Sequence, residues 1–410
     1  MGYNIHSAAI LGLDDSGWSW GDNNTGRLGD NTKTDQSSPV AIVGGIAFVA
    51  ITAGNTHSMG INGADGTGWA WGGGIGVVPN QGELGNNARE SYSSPIAIAG
   101  GRSWKILFGA YRVSVGIQGS DDTCFAWGGN AYGQLGTNNL TSYSSPQGMA
   151  GARAFYDIAV GAYHTAAILN STGVVYCCGR NIYGQLGHGN VLNYSSPVPV
   201  TGGAASYAKI ACGAYHTFGI QGSNGRIYAW GWNTYGQLGT NNRTSYSAPT
   251  YTGCTRSFID ISGGIYHSAA IQASDGVAYC WGHNQYGQLG DNTRTSRSSP
   301  IAVVGGNSFV AIACGQYHTI AIRGSDGTAW AWGRNSDLTL GTNDAVSYSS
   351  PVAVAGSRSF AAIWDGESCA YIGPAAGDIK SISNVAWADI LKTSGVAQAS
   401  ISKVAGVSAV

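Results

Sequence analysis

The chain has 410 residues and a formal net charge of −1, from 20 basic and 21 acidic side chains. Charged residues make up only 10% of it and glycine occupies 65 positions, while hydrophobic residues at 43% suffice for a core, which excludes a disordered or collagen-like chain. The sparse and even charge forms no basic stripe for phosphates and no patch for anionic lipids. We therefore expect neither nucleic-acid binding nor membrane insertion.

Five sequence features recur seven times in the same order, so the chain is built from repeats of about fifty residues. Each unit has an aromatic residue, a Trp-Gly step two positions later, a Leu-Gly step, a Ser-Ser-Pro step and an aromatic residue three positions before isoleucine. The Trp-Gly position holds Trp20, Trp71, Trp127, Cys178, Trp230, Trp281 and Trp332.

Each unit predicts four short strands. In one unit they cover residues 300–304, 309–312, 318–322 and 328–332, and the last two are joined by Asp326-Gly327, a strong hairpin signal. Short apolar strands at regular spacing are typical of propellers. The fold class is therefore all-β, a seven-bladed β-propeller of four-stranded antiparallel blades over residues 1–373.

The two ends of the repeat region predict how the ring closes. The chain begins inside a unit, at residues 6–10, and the matching first half of that unit, 351–363, comes at the far end. We expect one blade to combine two N-terminal and two C-terminal strands, which leaves no open sheet edge. A further copy of the histidine strand, 367–372, is then redundant.

Histidine occupies one repeat position in six units, and Arg112 fills that slot in another. The six are His6, His57, His164, His216, His267 and His318. A ring of imidazoles suggests a metal, but sevenfold symmetry spreads the side chains too widely for zinc. We predict that each histidine bonds to backbone in its own blade, with no metal and no cofactor. The glycine three residues earlier indicates either close packing or a positive φ.

The chain offers no convincing catalytic group. The carboxylates lie singly in turns and loops, and neither a Gly-x-Ser-x-Gly elbow nor a phosphate-binding Gly-x-x-x-x-Gly-Lys loop is present. The eight cysteines lack zinc-like spacing and several lie in apolar strands, so we predict buried free thiols. The protein is predicted not to be an enzyme.

The loops from Trp-Gly to Ser-Ser-Pro are expected on one face of the disc. They carry recurrent tyrosines and amides with few charges, which indicates a surface that binds protein or glycan. The alternative is that these tyrosines only cover the blades. The candidate binding face comprises Tyr132, Tyr183, Tyr235, Tyr286, Tyr143, Tyr194 and Tyr246.

Residues 374–410 form a second region with an eleven-residue period. Their apolar–polar alternation favours strands, and a segment this short has no core of its own. We expect it to dock on the propeller, pair with copies of itself or add a strand to a partner, and the alternative is a disordered tail. The candidate anchor residues are Ile379, Val385, Trp387, Ile390, Val396, Ile401 and Val407.

The units resemble the regulator of chromosome condensation (RCC1) repeats over residues 3–373. The resemblance rests on residues 281–290 (WGHNQYGQLG), 298–300 (SSP) and 314–318 (CGQYH). It implies a seven-bladed propeller, and the family includes a guanine-nucleotide exchange factor that binds chromatin as well as interaction modules. Exchange is not expected here, because the family's exchange factor uses a long hairpin wedge and a basic N-terminal tail. This chain has one insertion of about five residues and starts within a strand.

The tail resembles short repeats near the ends of bacteriophage structural proteins. That resemblance implies a virion component, such as a tail fibre, baseplate or capsid decoration protein, assembled in the host cytoplasm. Its tail would join other virion subunits and its loop face would contact a host protein or glycan. The alternatives are a bacterial or cellular interaction scaffold located in the cytoplasm, and a glycan-binding lectin.

Overall fold

Short antiparallel strands make up the secondary structure of the described residues. The computed structural model describes residues 6–74, 80–356, 358–365 and 368–371, and among these there is no helix able to cross a membrane. Six sheets have four strands and a seventh has five, and the innermost strands adjoin one another around a closed ring. The predicted all-β, seven-bladed propeller is confirmed. The predicted second region, 374–410, and its anchor residues lie outside the described residues.

The strands are numbered along the chain, and each blade runs outward from the central channel. The innermost strands are β4 (Phe48–Ala53), β8 (Trp104–Gly109), β12 (Phe155–Val160), β16 (Tyr207–Cys212), β20 (Phe258–Gly263), β24 (Phe309–Cys314) and β28 (Phe360–Asp365). The second strands are β1 (His6–Leu11), β5 (His57–Asn62), β9 (Val113–Gln118), β13 (His164–Leu169), β17 (His216–Gln221), β21 (His267–Gln272) and β25 (His318–Arg323).

The two outer positions complete each blade. The third strands are β2 (Gly17–Gly21), β6 (Gly68–Gly72), β10 (Cys124–Gly128), β14 (Val175–Gly179), β18 (Ile227–Gly231), β22 (Ala278–Gly282) and β26 (Ala329–Gly333). The outermost strands are β3 (Gln36–Ala41), β7 (Tyr92–Ala97), β11 (Tyr143–Gly148), β15 (Tyr194–Pro199), β19 (Tyr246–Tyr251), β23 (Arg297–Ala302) and β27 (Tyr348–Ala353). We call the blade of β28 and β1–β3 blade 1, and blades 2–7 follow in chain order.

Ring closure differs from the prediction by one strand. Blade 1 takes three strands from the N-terminal end and β28 from the C-terminal end, whereas β27 belongs to blade 7. The predicted two-plus-two division was wrong because the proline strand pairs with the Trp-Gly strand before it and so ends a blade. Residues 368–371, predicted to be redundant, form β29, which pairs with the inner edge of β28 and lies on the channel side of blade 1.

The core is divided among the seven contacts between neighbouring blades. Each contact has its own apolar cluster. The six repeat tryptophans are among the largest fully buried side chains of the protein. The indole of Trp281 donates to the Gln237 carbonyl of the preceding blade at 2.8 Å. Gly239 lies beneath that indole and has a φ of +72°. A Cβ at this position would lie only 2.8 Å from the indole nitrogen, which is too close. The Trp-Gly and Leu-Gly steps are therefore two sides of one contact.

The repeat histidines form bonds between blades. Nε2 of His164 lies 2.9 Å from the Thr217 hydroxyl of the next blade, and the same contact recurs around the ring up to His318 and Ser7 at 3.4 Å. The hydroxyls themselves donate to a carbonyl, as Thr217 does to Gln185, so each imidazole is the donor. The predicted bond to backbone within the same blade was wrong. The sequence showed that the histidines recur once per repeat, but it did not show that each imidazole faces a hydroxyl group of the next blade.

Blade 3 breaks the histidine ring, and Arg112 is not its substitute. Ser114 pairs with Trp127 as Thr165 pairs with Cys178, so Val113 occupies the histidine position and Arg112 precedes it. The assignment of Arg112 to this slot was therefore wrong by one residue. In blade 4 a Cβ on Gly161 would lie 2.3 Å from the His164 ring. Blade 3, which has no imidazole there, has Ala110 at the glycine position.

Candidate functional site

Two sets of loops emerge on the same face of the disc. Because the strands of a blade alternate in direction, the turn after the innermost strand and the loop after the Trp-Gly strand lie at the same end. The hairpins between second and third strands lie at the other end. We call the first surface the mouth face, since it surrounds one opening of the central channel.

The mouth face carries a continuous series of aromatic rings across blades 3 to 7. Neighbouring ring centroids are 4.8 to 6.5 Å apart, mostly in edge-to-face or tilted geometry, which aromatic pairs favour. All of these rings are partly exposed. This aromatic arc comprises Tyr111, Tyr132, Tyr163, Tyr183, Tyr215, Trp232, Tyr235, Tyr266, His283, Tyr286 and Tyr317.

Buried glutamines hold the outer tyrosines of the arc in place. The side-chain oxygen of Gln237 accepts the backbone N–H of Tyr235 at 2.9 Å, and Gln237 is fully buried. The same bond recurs at Tyr132, Tyr183 and Tyr286. In blade 6, Gln288 also contacts Nδ1 of His283 at 2.9 Å. The rings are thus positioned before any partner arrives, which lowers the entropic cost of binding.

A buried asparagine organises each of the loops that carry these tyrosines. In blade 5 the Asn233 oxygen accepts the N–H of Leu238 at 2.9 Å, and its amide nitrogen donates to the carbonyls of Asn242 and Thr244 at 3.2 and 2.9 Å. One side chain therefore connects both ends of a long loop. Asn130 and Asn284 bond in the same way in blades 3 and 6.

The structure separates the predicted binding residues into two groups. Tyr132, Tyr183, Tyr235 and Tyr286 join the aromatic arc. The other three, Tyr143, Tyr194 and Tyr246, begin outermost strands, pack against the blade cores and accept bonds from Asn139, Asn190 and Asn242 at 2.9 to 3.0 Å. The second group thus has the geometry expected of tyrosines that cover the blades.

The inner half of the arc was missed by the sequence reasoning. Tyr163, Tyr215, Tyr266 and Tyr317 each directly precede a repeat histidine, and this Tyr-His pair was a signal available in the sequence. Trp232 was missed because its position varies between units, being Arg180 in blade 4 and His283 in blade 6. Only the ring geometry shows that these positions adjoin.

Burial disfavours the charged form of two groups in the arc, His283 and Tyr317. Partial burial lowers the pKa of His283, and burial raises the pKa of Tyr317. Among the described residues, no group of three or more His, Cys, Asp or Glu side chains is placed to hold a metal ion. The arrangement offers stacked rings, hydroxyl groups and a few cations, which suit recognition of a partner surface.

The repeat itself identifies the family. A sequence profile for the Regulator of chromosome condensation (RCC1) repeat matches residues 14–61, 121–168, 172–220, 224–271 and 275–322, more than half of the chain. The chain belongs to the RCC1-repeat family. The Ultraviolet-B receptor UVR8 of Arabidopsis thaliana is 32% identical over 364 residues, which are 84% of this chain and 79% of that protein.

Two further comparisons are more limited. One relative matches over part of its length, and one solved structure shares the fold at low sequence identity. The probable E3 ubiquitin-protein ligase HERC4 of Rattus norvegicus is 34% identical over 205 residues, 48% of this chain but only 19% of the ligase. The crystal structure of Prp20p from Saccharomyces cerevisiae matches with a TM-score of 0.73 at 19% identity, covering 85% of this chain and 88% of that one. The propeller fold is thus shared by proteins with different functions.

Proposed function

We propose that this RCC1-repeat propeller is a non-enzymatic protein-interaction scaffold and that the aromatic arc is its binding surface. The observation that carries the proposal is the continuity of partly exposed, prepositioned rings over five blades. Tyrosine, tryptophan and arginine are enriched where protein interfaces concentrate their binding energy. Prp20p, which shares the fold, has binding properties towards Gsp1p and histones.

The virion component stays a prediction. The relatives reported above come from a plant, a mammal and a yeast, and they favour the cellular scaffold. Glycan binding at the same loops also stays a prediction. Mass spectrometry of purified particles and of soluble cell fractions distinguishes a virion location from a cytoplasmic one.

Site-specific photo-crosslinking tests the proposed surface. A photoreactive phenylalanine analogue replaces Tyr235 on the arc or, as the control, Tyr279, a partly exposed aromatic residue near the opposite face. In extract of the source we expect one defined protein adduct from position 235, lost when Trp232 is changed to Ala. Adducts that form equally from position 279, or only there, would contradict the assignment of the arc.

A further inference from the structure

Three arginines lie along the aromatic arc with their guanidinium groups over its rings. The Arg180 guanidinium carbon is 4.9 Å from the Tyr132 centroid and 5.4 Å from that of Tyr163. Arg112 and Arg334 occupy the two ends, at 5.3 Å from Tyr111 and 5.6 Å from Tyr317. Stacking covers one face of a guanidinium and leaves its in-plane N–H groups able to bind a carboxylate.

These cations are incompletely neutralised within the described part of the chain. Arg334 pairs with Asp337 at 3.2 Å, whereas among the described residues neither Arg112 nor Arg180 has a carboxylate within 4 Å. Nε of Arg112 is buried and has no hydrogen-bond partner there. Glu83 interacts with Arg112 electrostatically, but its oxygens accept the N–H groups of Gly74 and Gln81. Arg112 and Arg180 thus bring positive charge to the arc with no carboxylate in contact among the described residues.

Exposed apolar side chains continue the mouth face outward from blades 3 and 4. Ile182 is 45% exposed next to Tyr183, and the loop tips carry Leu140, Val191 and Leu192 at 61%, 56% and 64% exposure. At the corresponding tips of blades 5 and 6 the sequence has Arg243 and Arg294. On the side of blades 3 and 4, the arginines that stack on the aromatic arc therefore lie next to exposed apolar side chains.

We propose that the aromatic arc binds an acidic segment of a partner protein, one in which aspartate or glutamate alternates with apolar side chains. The carboxylates would bond to Arg112, Arg180 and Arg334, and the apolar groups would pack on the tyrosines and on Ile182. This inference rests on the proposed scaffold function and adds the chemistry of the partner. Charge complementarity is what selects this occupant.

The chain's own C-terminal region does not fit the arc. Residues 374–410 contain Asp378 and Asp389 against Lys380, Lys392 and Lys403, so that segment is not acidic. In addition, β29 runs antiparallel to β28 and therefore leads away from the mouth face. A second copy of the chain remains an outcome that the experiment must separate.

The test is selection of random dodecapeptides displayed on yeast against the intact protein. The strongest binder is then synthesised with its carboxylates intact and with each changed to the amide, and both are measured by fluorescence anisotropy. Four proteins are compared: the native chain, the Trp232→Ala variant, a variant with Arg112→Gln, Arg180→Gln and Arg334→Gln, and a control with Arg89→Gln, Arg243→Gln and Arg294→Gln. The control removes equal charge from exposed loop tips on the same face.

We expect acidic peptides to be enriched and the arc variant to bind them at least about tenfold more weakly, since one charge-assisted bond contributes roughly that factor. The control should retain native affinity. If the enriched peptides show no acidic bias but their binding still requires Trp232, the proposed acidic partner is wrong and the proposed scaffold function stands. Peptides indifferent to Trp232 would overturn both. Self-association on the arc, seen by light scattering and lost in the arc variant, would replace the acidic segment by a second copy.

Discussion

At the scale of single residues, the histidine ring shows how one side chain connects neighbouring blades. Six fully buried imidazoles lie against hydroxyl groups of the next blade at 2.6 to 3.4 Å. A donated Nε2–H leaves Nδ1 unprotonated, and at five of the six that nitrogen is buried without a partner among the described residues. Protonating any of them would bury an unpaired charge.

We predict that acid destabilises the protein through these histidines. Burial lowers the pKa of His57, His164, His216 and His267 to about 3, below the 6.5 of the unfolded chain. Their contribution to stability is present above pH 6.5 and is lost as the pH falls towards 3. The expected loss is roughly 1 kcal/mol for each histidine between pH 7 and 5.5.

Urea unfolding across this pH range measures the effect. His164→Val, which copies blade 3, is the control variant, and its unfolding should take up fewer protons than that of the native chain. A free energy of unfolding that does not change between pH 7 and 5 would contradict the prediction.

At the scale of elements, each contact between blades is a closely fitted pair of strands, and blade 4 shows how a substitution is compensated. Cys178 stands where the other blades have tryptophan, and Met149 lies beside it. A Cβ on Gly136 would be 2.6 Å from the Met149 methyl and 3.0 Å from the Cys178 sulfur. At the position of Met149 the neighbouring blades have smaller residues, Ile98 and Val200. The methionine thus occupies volume that an indole would otherwise take.

We predict that Cys178→Trp alone destabilises the protein, because both groups cannot share that space. Overpacking of this kind costs about 1–3 kcal/mol. Adding Met149→Val should recover most of the loss. The double variant has the same pair of residues as the contact between blades 4 and 5, where Trp230 lies against Val200. Denaturant unfolding of both single variants and the double variant measures the coupling, and strictly additive effects would show that the two residues do not compensate.

At the scale of the whole molecule, stability depends on one pairing between residues far apart in sequence. β28 pairs with β1, with Ala9 opposite Ile363, and this ladder turns seven sheets into a ring. Both elements bury apolar side chains that contribute to the clusters with blades 2 and 7. A sheet missing its innermost strand would expose an edge and part of two cores.

We predict that a chain ending at residue 357 fails to form the closed propeller, because it lacks β28. Its melting transition should broaden and move to lower temperature, or be absent. The matched control ends at residue 373, keeps every described strand and should melt within a few degrees of the full chain. If the region after residue 373 is an anchor, the control should also lose its assembly while staying folded. Equal melting of the two truncated chains would show that β28 does not close the ring.

Much of this protein was predictable from its sequence, because repetition makes local signals add up. The blade number, the strands, the tandem Trp-Gly and Leu-Gly steps and the outer tyrosines of the arc all follow from features repeated within the chain. The outer strand position of Tyr143 and its partner Asn139 did not follow, since the tyrosines of the arc and those that cover the blades carry the same local pattern.

Tertiary structure decided what depends on neighbouring blades. The period alone shows that Thr217 is the counterpart of Thr165, the residue after His164, one blade later, but only blade packing brings Thr217 within 2.9 Å of His164. The same holds for the aromatic arc, where residues about fifty positions apart become adjacent because each blade repeats the last one around an axis. Local sequence determines which elements form, and the closed ring determines which side chains meet, since contacts between blades join residues that no local pattern relates.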